Sequence, residues 1–213
     1  MTLAENAVHD HDATQDERQA DLPADNAHAP PPPPQEEQTI ALVERSLAGE
    51  PMAFMLLVEW YTGAIYALAH RMLGNPQDAE DACQETFLRA YLHLARFDRS
   101  RRFKTWLLAI ASNYCVDRLR RRHDHQLPLD AVTYPDDDAT LEPEAQTLRA
   151  EERRLVRQAL HQLPANYRQL SLLRYWHDLS YREMERVTGL SEAIIKSRLY
   201  RARQMLARAL EPE

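Results

Sequence analysis

The chain has 213 residues, 44% apolar and 28% charged, with a formal net charge of −7, which is length and apolar material for one or two well-packed domains. No uninterrupted apolar run reaches the about 18 residues of a membrane span, because Glu59 breaks the best stretch, and no basic-then-apolar leader opens the chain; a cytoplasmic protein without membrane insertion is expected. Two cysteines, Cys83 and Cys115, fit a reducing compartment, and four glycines, none in a phosphate-cradling loop, exclude Walker-type and dinucleotide-binding loops.

The charge is unevenly spread. Residues 1–38 hold nine acids against Arg18, carry few large apolar side chains and close on the run Pro30–Pro34. Such a segment buries too little surface to offset its ordering entropy, so a disordered acidic tail is expected. Its net −8 suits competition with DNA for basic faces, or a plain solubilising extension.

Residues 39–122 carry a net +3 and read as helices. Phe54, Leu57, Val58, Tyr61, Ile65, Leu68, Ala69 and Met72 recur at three- and four-residue steps, the buried stripe of one long helix. Gly74 ends it, Asn75 caps the next, and Pro76 takes the first helical position. That second helix buries Ala79, Cys83, Thr86, Phe87 and Ala90. Its other face bears Asp78, Glu80, Asp81, Gln84 and Glu85, followed by exposed Leu88 and Tyr91. Carboxylates ringing aliphatic contacts suit a basic partner helix, although a solvated face favoured by the helix dipole explains the acids equally well. The third helix, 103–122, buries Phe103, Trp106, Leu107, Ile110, Ala111 and Tyr114. Around its start, Arg99, Arg101, Arg102 and Lys104 interleave with Phe97 and Phe103, and it ends in Arg118, Arg120, Arg121 and Arg122. Bases interleaved with aromatics are what a splayed single strand needs, while Phe103 and Trp106 taken singly read as core.

Residues 123–148, with Pro128, Pro135, Pro143 and the run Asp136–Asp138, form an acidic linker extended by self-repulsion. Residues 149–213 turn basic and helical again. Leu155, Val156, Ala159, Leu160 and Leu163 make one amphipathic helix, and Pro164 opens another that buries Tyr167, Leu170, Leu173 and Trp176. Ser180 and Glu183 form a capping box, a short helix runs to Gly189, and Ser191 caps a last helix carrying Ile194, Ile195, Leu199, Ala202, Leu206 and Leu210. Helix, tight turn and basic helix make a helix-turn-helix, with an ordinary helical hairpin as the bland alternative. The last helix projects Lys196, Ser197, Tyr200 and Arg201, with donors for base edges, while Arg198 and Arg203 suit the phosphate backbone. No alternating strand pattern appears, so the fold class is all-α: two helical domains, a flexible linker and a tail.

Taken together, residues 40–213 resemble a small sigma factor of bacterial RNA polymerase, of the extracytoplasmic-function (ECF) type with only regions two and four. Asp78-Ala79-Glu80-Asp81 and Gln84-Glu85-Thr86-Phe87 resemble the region-two helix that binds the clamp helices of the largest polymerase subunit. The resemblance therefore assigns Asp78, Asp81, Gln84, Glu85 and Leu88 to the polymerase. Phe103-Lys104-Thr105-Trp106-Leu107, Ile110-Ala111-Ser112-Asn113 and Asp117-Arg118-Leu119-Arg120 resemble the part that melts and reads the minus-ten element. This implies roles there for Arg101, Arg102, Phe103, Lys104, Trp106, Asn113, Arg118 and Arg121, with Asn113 and the loop before Phe103 holding a flipped base. Leu163-Pro164, Tyr167-Arg168, Leu179-Ser180-Tyr181 and 196–203 resemble region four. That assigns Lys196, Ser197, Arg198, Tyr200, Arg201 and Arg203 to the minus-thirty-five element and places the polymerase flap region among the partners. The acidic linker is similar to the segment that threads the RNA exit channel, and the family often works with an anti-sigma factor.

Two places depart from the family habit. The short helix has Glu185 where a small alanine is usual, and the turn reads Ser191-Glu192-Ala193-Ile194 where glycine and threonine are usual. Glu185 is expected either to snorkel outward or to loosen the packing of the two helices.

Rival readings are weaker. A free-standing helix-turn-helix regulator would leave the aromatic-basic segment idle and lacks a dimerisation stripe. A hydrolase built on the second-helix carboxylates lacks a nucleophile, a base and a cofactor loop, so no enzyme activity, cofactor or metal is expected. The pairs His9 and His11, and His123 and His125, lack a ligand cage. Both cysteines fall on apolar stripes, as buried thiols do.

Overall fold

The computed structural model describes residues 35–125 and 145–210; residues 1–34, 126–144 and 211–213 lie outside it, and of the linker expected over 123–148 both ends, 123–125 and 145–148, are helical. Four helices make the first module: α1 (Glu36–Leu47), α2 (Pro51–Leu73), α3 (Pro76–His93) and α4 (Phe103–His125). Four make the second: α5 (Ala145–Gln162), α6 (Ala165–Tyr175), α7 (Tyr181–Thr188) and α8 (Glu192–Leu210). No strand occurs among the described residues.

The centre of the first module is α2, flanked by α1, α3 and α4. Leu57, Tyr61, Ile65, Leu68 and Met72 are buried along the expected stripe, while Phe54 and Val58 are only half-buried. By length and composition α2 is apolar enough to cross a membrane, although Glu59 interrupts its apolar run. Here it is a core helix, with Glu59 on its exposed side. Gly74 ends it in the left-handed region (φ 86°), its N–H donating to the His70 carbonyl at 2.9 Å.

Helix α1 begins at Glu36, so residues 36–38, which composition places in the tail, are helical. Long-range bonds hold them. Thr39 is buried with its hydroxyl 2.9 Å from the Tyr61 hydroxyl, and Glu36 Oε1 accepts the Phe103 amide N–H at 2.7 Å. A carboxylate thus sits on an otherwise orphaned amide at the start of α4, where the helix dipole favours it.

Asp78 fastens α3 to α4. Asn75 Oδ1 accepts the Asp78 amide at 2.8 Å, as a cap should, and the Asn75 side-chain amide donates to the Asp78 carboxylate. The same carboxylate takes the guanidinium groups of Arg118 and Arg122. Burial pushes its carboxyl up, but the Asn75 amide and the two guanidinium groups outweigh that and hold it below the usual aspartate range.

The second module closes on Leu170, Leu172, Leu173, Met184, Ile195 and Leu199. It does not stand apart from the first, because α6 and α7 pack on α4 and α6 also touches α2. Arg168 is buried at this seam. Its guanidinium donates to the Met72 carbonyl in the last turn of α2 and to the Leu163 carbonyl at 3.2 Å. A cation on C-terminal carbonyls is favoured by their charge as well as by the hydrogen bonds. Arg71 lies over the Trp176 ring, 6.0 Å from its centroid.

Two histidines stay neutral near the seam. Burial, with Lys104 and Arg71 facing it, pushes His177 down to about 3, and its Nε2 has no hydrogen-bond partner. Burial, with Arg168, His70 and Arg157 around it, pushes His161 down to about 4.

Asp78→Ala would leave two partly buried guanidinium groups without their shared counter-ion. It is expected to lower stability by about 3 kcal/mol in urea unfolding. The histidines predict a pH dependence of opposite origin. Their folded values lie below 6.5, so the unfolded chain takes up protons first as pH falls. Stability is close to full at pH 7.5 and declines as pH falls through 6.5, by about 3 kcal/mol between pH 7.5 and 5.5 for the pair. His177→Leu should remove roughly half of that slope, as followed by chemical unfolding at the two pH values.

Candidate functional site

Three surfaces carry the residues singled out from the sequence. The first is the outer face of α3. Gln84 is exposed, Glu85 is half-buried and pairs with Arg89 at 2.6 Å, and Asp81 reaches Arg118 at 3.3 Å. Beyond them Leu88, Tyr91 and Leu92 are 55%, 57% and 66% exposed, an apolar strip on a helix whose other side is core. The Phe54 ring meets Tyr91 edge-on with centroids 5.0 Å apart, which extends the strip onto α2, where Met52 and Met55 are also exposed. Asp78 is not part of this face. It is 4% exposed and bound to Arg118 and Arg122, a structural ion pair rather than a docking group.

The second surface is the start and middle of α4 with the segment before it. Arg102 and Arg121 are exposed, and Arg101 is exposed while paired with Asp98 at 2.8 Å. Phe103 belongs to the interior: fully buried, it packs on Tyr61, Phe97 and Trp106 with centroids 5.4, 5.2 and 5.5 Å away. It offers no ring face to a base in this conformation. Trp106 is half-buried beside it. Arg118 is turned inward to Asp78, Asp81 and the Tyr114 hydroxyl, the last at 3.0 Å.

Asn113 and Thr105 are occupied by the second module. Gln169 on α6 donates through Nε2 to Asn113 Oδ1 and to Ser112 Oγ, each at 3.1 Å. Asn113 Nδ2 donates to the Val187 carbonyl at 3.3 Å, satisfying an orphan acceptor in the last turn of α7. Thr105 Oγ1 donates to Glu183 Oε1 at 3.1 Å. Glu183 also completes the expected capping box, accepting the Ser180 amide at 2.9 Å while its own amide reaches Ser180 Oγ at 3.3 Å. Burial raises the Glu183 carboxyl, but the Ser180 hydroxyl and amide and the Thr105 hydroxyl hold it below the usual glutamate range. Both atoms of the Asn113 amide are therefore engaged, and Lys104 is half-buried against the seam.

The third surface is α8. Ile195, Leu199 and Ala202 face the core, whereas Ile194 and Leu210, placed by periodicity on the same stripe, are exposed. Lys196, Ser197, Tyr200, Arg201 and Arg203 are exposed and Arg198 is half-buried. Lys196 pairs with Glu192 at 2.7 Å and lies over the Tyr181 ring, 5.1 Å from its centroid. Arg203 donates to the Tyr175 hydroxyl at 3.3 Å. Gly189 supplies the left-handed turn (φ 69°).

Sequence reasoning missed Gln169, Arg168 and Glu36. The available signal was a pair of long polar side chains, Arg168 and Gln169, on the stretch that also carries Leu170 and Leu173. Cys83 and Cys115 are buried as expected, and burial pushes their thiols up to about 11 and about 12, far from reactive values. No group of metal-ligating side chains occurs among the described residues.

Comparison with known proteins agrees with this layout. Residues 57–124 match the family description Sigma-70 region 2 and residues 153–206 match Sigma-70, region 4. The ECF RNA polymerase sigma factor SigW of Bacillus subtilis is 34% identical over 76% of this chain and 91% of its own length. The RNA polymerase sigma-H factor of Pseudomonas aeruginosa is 35% identical over 83% and 95%. Among solved structures, CnrH in complex with the cytosolic domain of CnrY covers 83% of this chain and 97% of its own, at 27% identity and a TM-score of 0.58. The sigma factor RpoE in complex with the anti-sigma factor NepR, from Bartonella quintana, covers 73% and 93%, at 25% identity and a TM-score of 0.56. With a buried-stripe helix-turn-helix behind a helical module of region-two pattern, the chain belongs to the ECF sigma factors of bacterial RNA polymerase and directs transcription initiation.

Proposed function

We propose a division of labour among the three surfaces. The α3 face, Asp81, Gln84, Glu85 and Leu88 with Tyr91 beyond them, docks on the clamp helices of the largest polymerase subunit. Exposed aliphatic area supplies the contact energy, and the carboxylates orient a basic partner. Helix α8 enters the major groove at the minus-thirty-five element, with Lys196, Ser197, Tyr200 and Arg201 toward base edges and Arg198 and Arg203 on the backbone. Segment 101–121 takes the melted minus-ten strand through Arg101, Arg102, Lys104, Trp106, Asn113 and Arg121. Phe103 and Arg118 support it from within. The protein is a binding factor of the cytoplasm, and the bond-making chemistry belongs to the polymerase.

The observation that carries this assignment is the two-sidedness of α8. Its apolar stripe is buried in the second module, and one continuous basic and aromatic face is left in solvent beyond a tight turn. The pairing of Asn113 adds a condition. Gln169 and Val187 each hold one atom of its exposed amide, so the seam has to part for that amide to turn to a flipped base. The described conformation is thus a closed, resting one, as suits a factor held by an anti-sigma partner until it is needed.

Two measurements test the assignment. Reversing Asp81 and Glu85 to lysine should reduce promoter-directed run-off transcription by reconstituted holoenzyme more than tenfold, about 1.4 kcal/mol or more. Undiminished transcripts would show that α3 is not the docking face. Gln169→Ala removes two bonds of the seam, each worth about 1 kcal/mol, and raises the fraction of open molecules. Apparent affinity of the free protein for a minus-ten single strand should then rise by up to about thirtyfold in a titration; an unchanged affinity would mean that the seam does not limit binding of that strand.

A further inference from the structure

Glu185 neither points idly outward nor loosens the hairpin. It lies near the end of α7, and its side chain crosses the turn: Oε1 accepts the amide N–H of Glu192, the first residue of α8, at 2.7 Å. Its own carbonyl accepts the Gly189 N–H at 2.8 Å. One residue therefore holds both ends of the turn, Gly189 through the backbone and Glu192 through the side chain. Ser191 stands at the N-cap position, as its place in the sequence suggests, but a carboxylate seven residues upstream serves the first amide of α8.

Packing holds this turn from its inner side only, through half-buried Leu190 on the core. Gly189 is exposed in the left-handed region, and a Cβ placed on it would meet nothing within 4 Å. Ser191 is exposed as well. The Leu190 amide has Thr188 Oγ1 at 3.3 Å. Hydrogen bonds on the exposed side thus join the buried contacts of Met184, Val187 and Ile195 in setting the angle at which α8 leaves α7. The first turn of α8 is tied back a second time, since the Glu192 carboxylate holds Lys196, which lies over the ring of Tyr181 at the start of α7.

We propose that Glu185 is a positioning residue: it fixes the angle between α7 and α8 and so determines how sharply the chain discriminates sequence at the upstream promoter element. The inference rests on α8 being the reader of that element. Geometry gives it leverage. Arg201 lies nine residues beyond Glu192, roughly 13 Å along a helix axis, so a tilt of about 5° at the turn moves it by about 1 Å. Hydrogen bonds to base edges tolerate only a few tenths of that. The Glu185 carboxylate also occupies the helix N-terminal amide that a DNA phosphate would otherwise meet. Reading by α8 then depends on its side chains and on the angle at which they are presented.

The test uses holoenzyme formed by the full chain with bacterial core polymerase. It is offered a duplex library randomised separately over the upstream and downstream promoter segments, and the bound molecules are sequenced. In Glu185→Ala the enrichment of the upstream motif should fall about tenfold while the downstream motif is enriched as in the unaltered protein. Glu185→Gln keeps an acceptor oxygen on the same stem and should restore the upstream enrichment to within about twofold. Upstream enrichment retained in Glu185→Ala would overturn the proposal. So would equal loss at both segments, which marks general instability, or a failure of Glu185→Gln to rescue. If the unaltered protein itself enriched no upstream motif, the assignment of α8 would fall, and the role of Glu185 with it.

Discussion

A side-chain amide carries two N–H donors and an oxygen with two lone pairs, so partners that take one of each orient it without exhausting it. The seam between the two modules is organised around that constraint. Gln169 takes the oxygen of Asn113, the Val187 carbonyl takes its nitrogen, and the face of α4 that the family pattern directs at DNA is turned against α6 and α7. Arg168 repeats the logic at the end of α2, where its guanidinium serves carbonyls that have no helical partner. Both contacts are polar, the one at Arg168 buried and the one at Asn113 partly so. They are stable while satisfied, and each leaves groups that nucleic acid or water can satisfy once the modules part. Apolar contact holds the seam as well, because one cluster of buried side chains runs through both modules, so parting it exposes apolar surface along with these polar groups.

Local features were legible in the sequence because their causes are local. The stripe of α2, the Gly74 stop, the Asn75 cap, the Ser180–Glu183 box and the Gly189 turn each depend on residues within one or two helical turns, and the structure has all of them. The exposed strip of Leu88 and Tyr91 was legible too, since it lies off the buried stripe of its own helix.

What escaped depends on partners far along the chain. Asp78 and Asp81 look alike as acids early in a helix, and only the return of α4 forty residues later makes the first an internal counter-ion. Phe103 reads as core on its own helix and as a DNA contact by resemblance, and only the approach of Tyr61 and Phe97 decides for the first. Composition averaged Glu36 into an acidic tail because its partner amide is 67 positions away. Glu185 is legible as an anomaly, with outward snorkelling or loosened packing as its expected outcomes. The actual one, a carboxylate reaching across the turn, needed the backbone of the next helix to be in place.

The bond from Glu36 to α4 has a practical side. Charge and proline content suggest trimming the protein after residue 38, but such a truncation would strip the carboxylate from the Phe103 amide and the first turn from α1. Any change in DNA affinity would then mix lost acidity with a frayed α4. Cutting ahead of Gln35 separates the two, because it removes the polyproline run and seven of the nine acids while leaving that stitch intact.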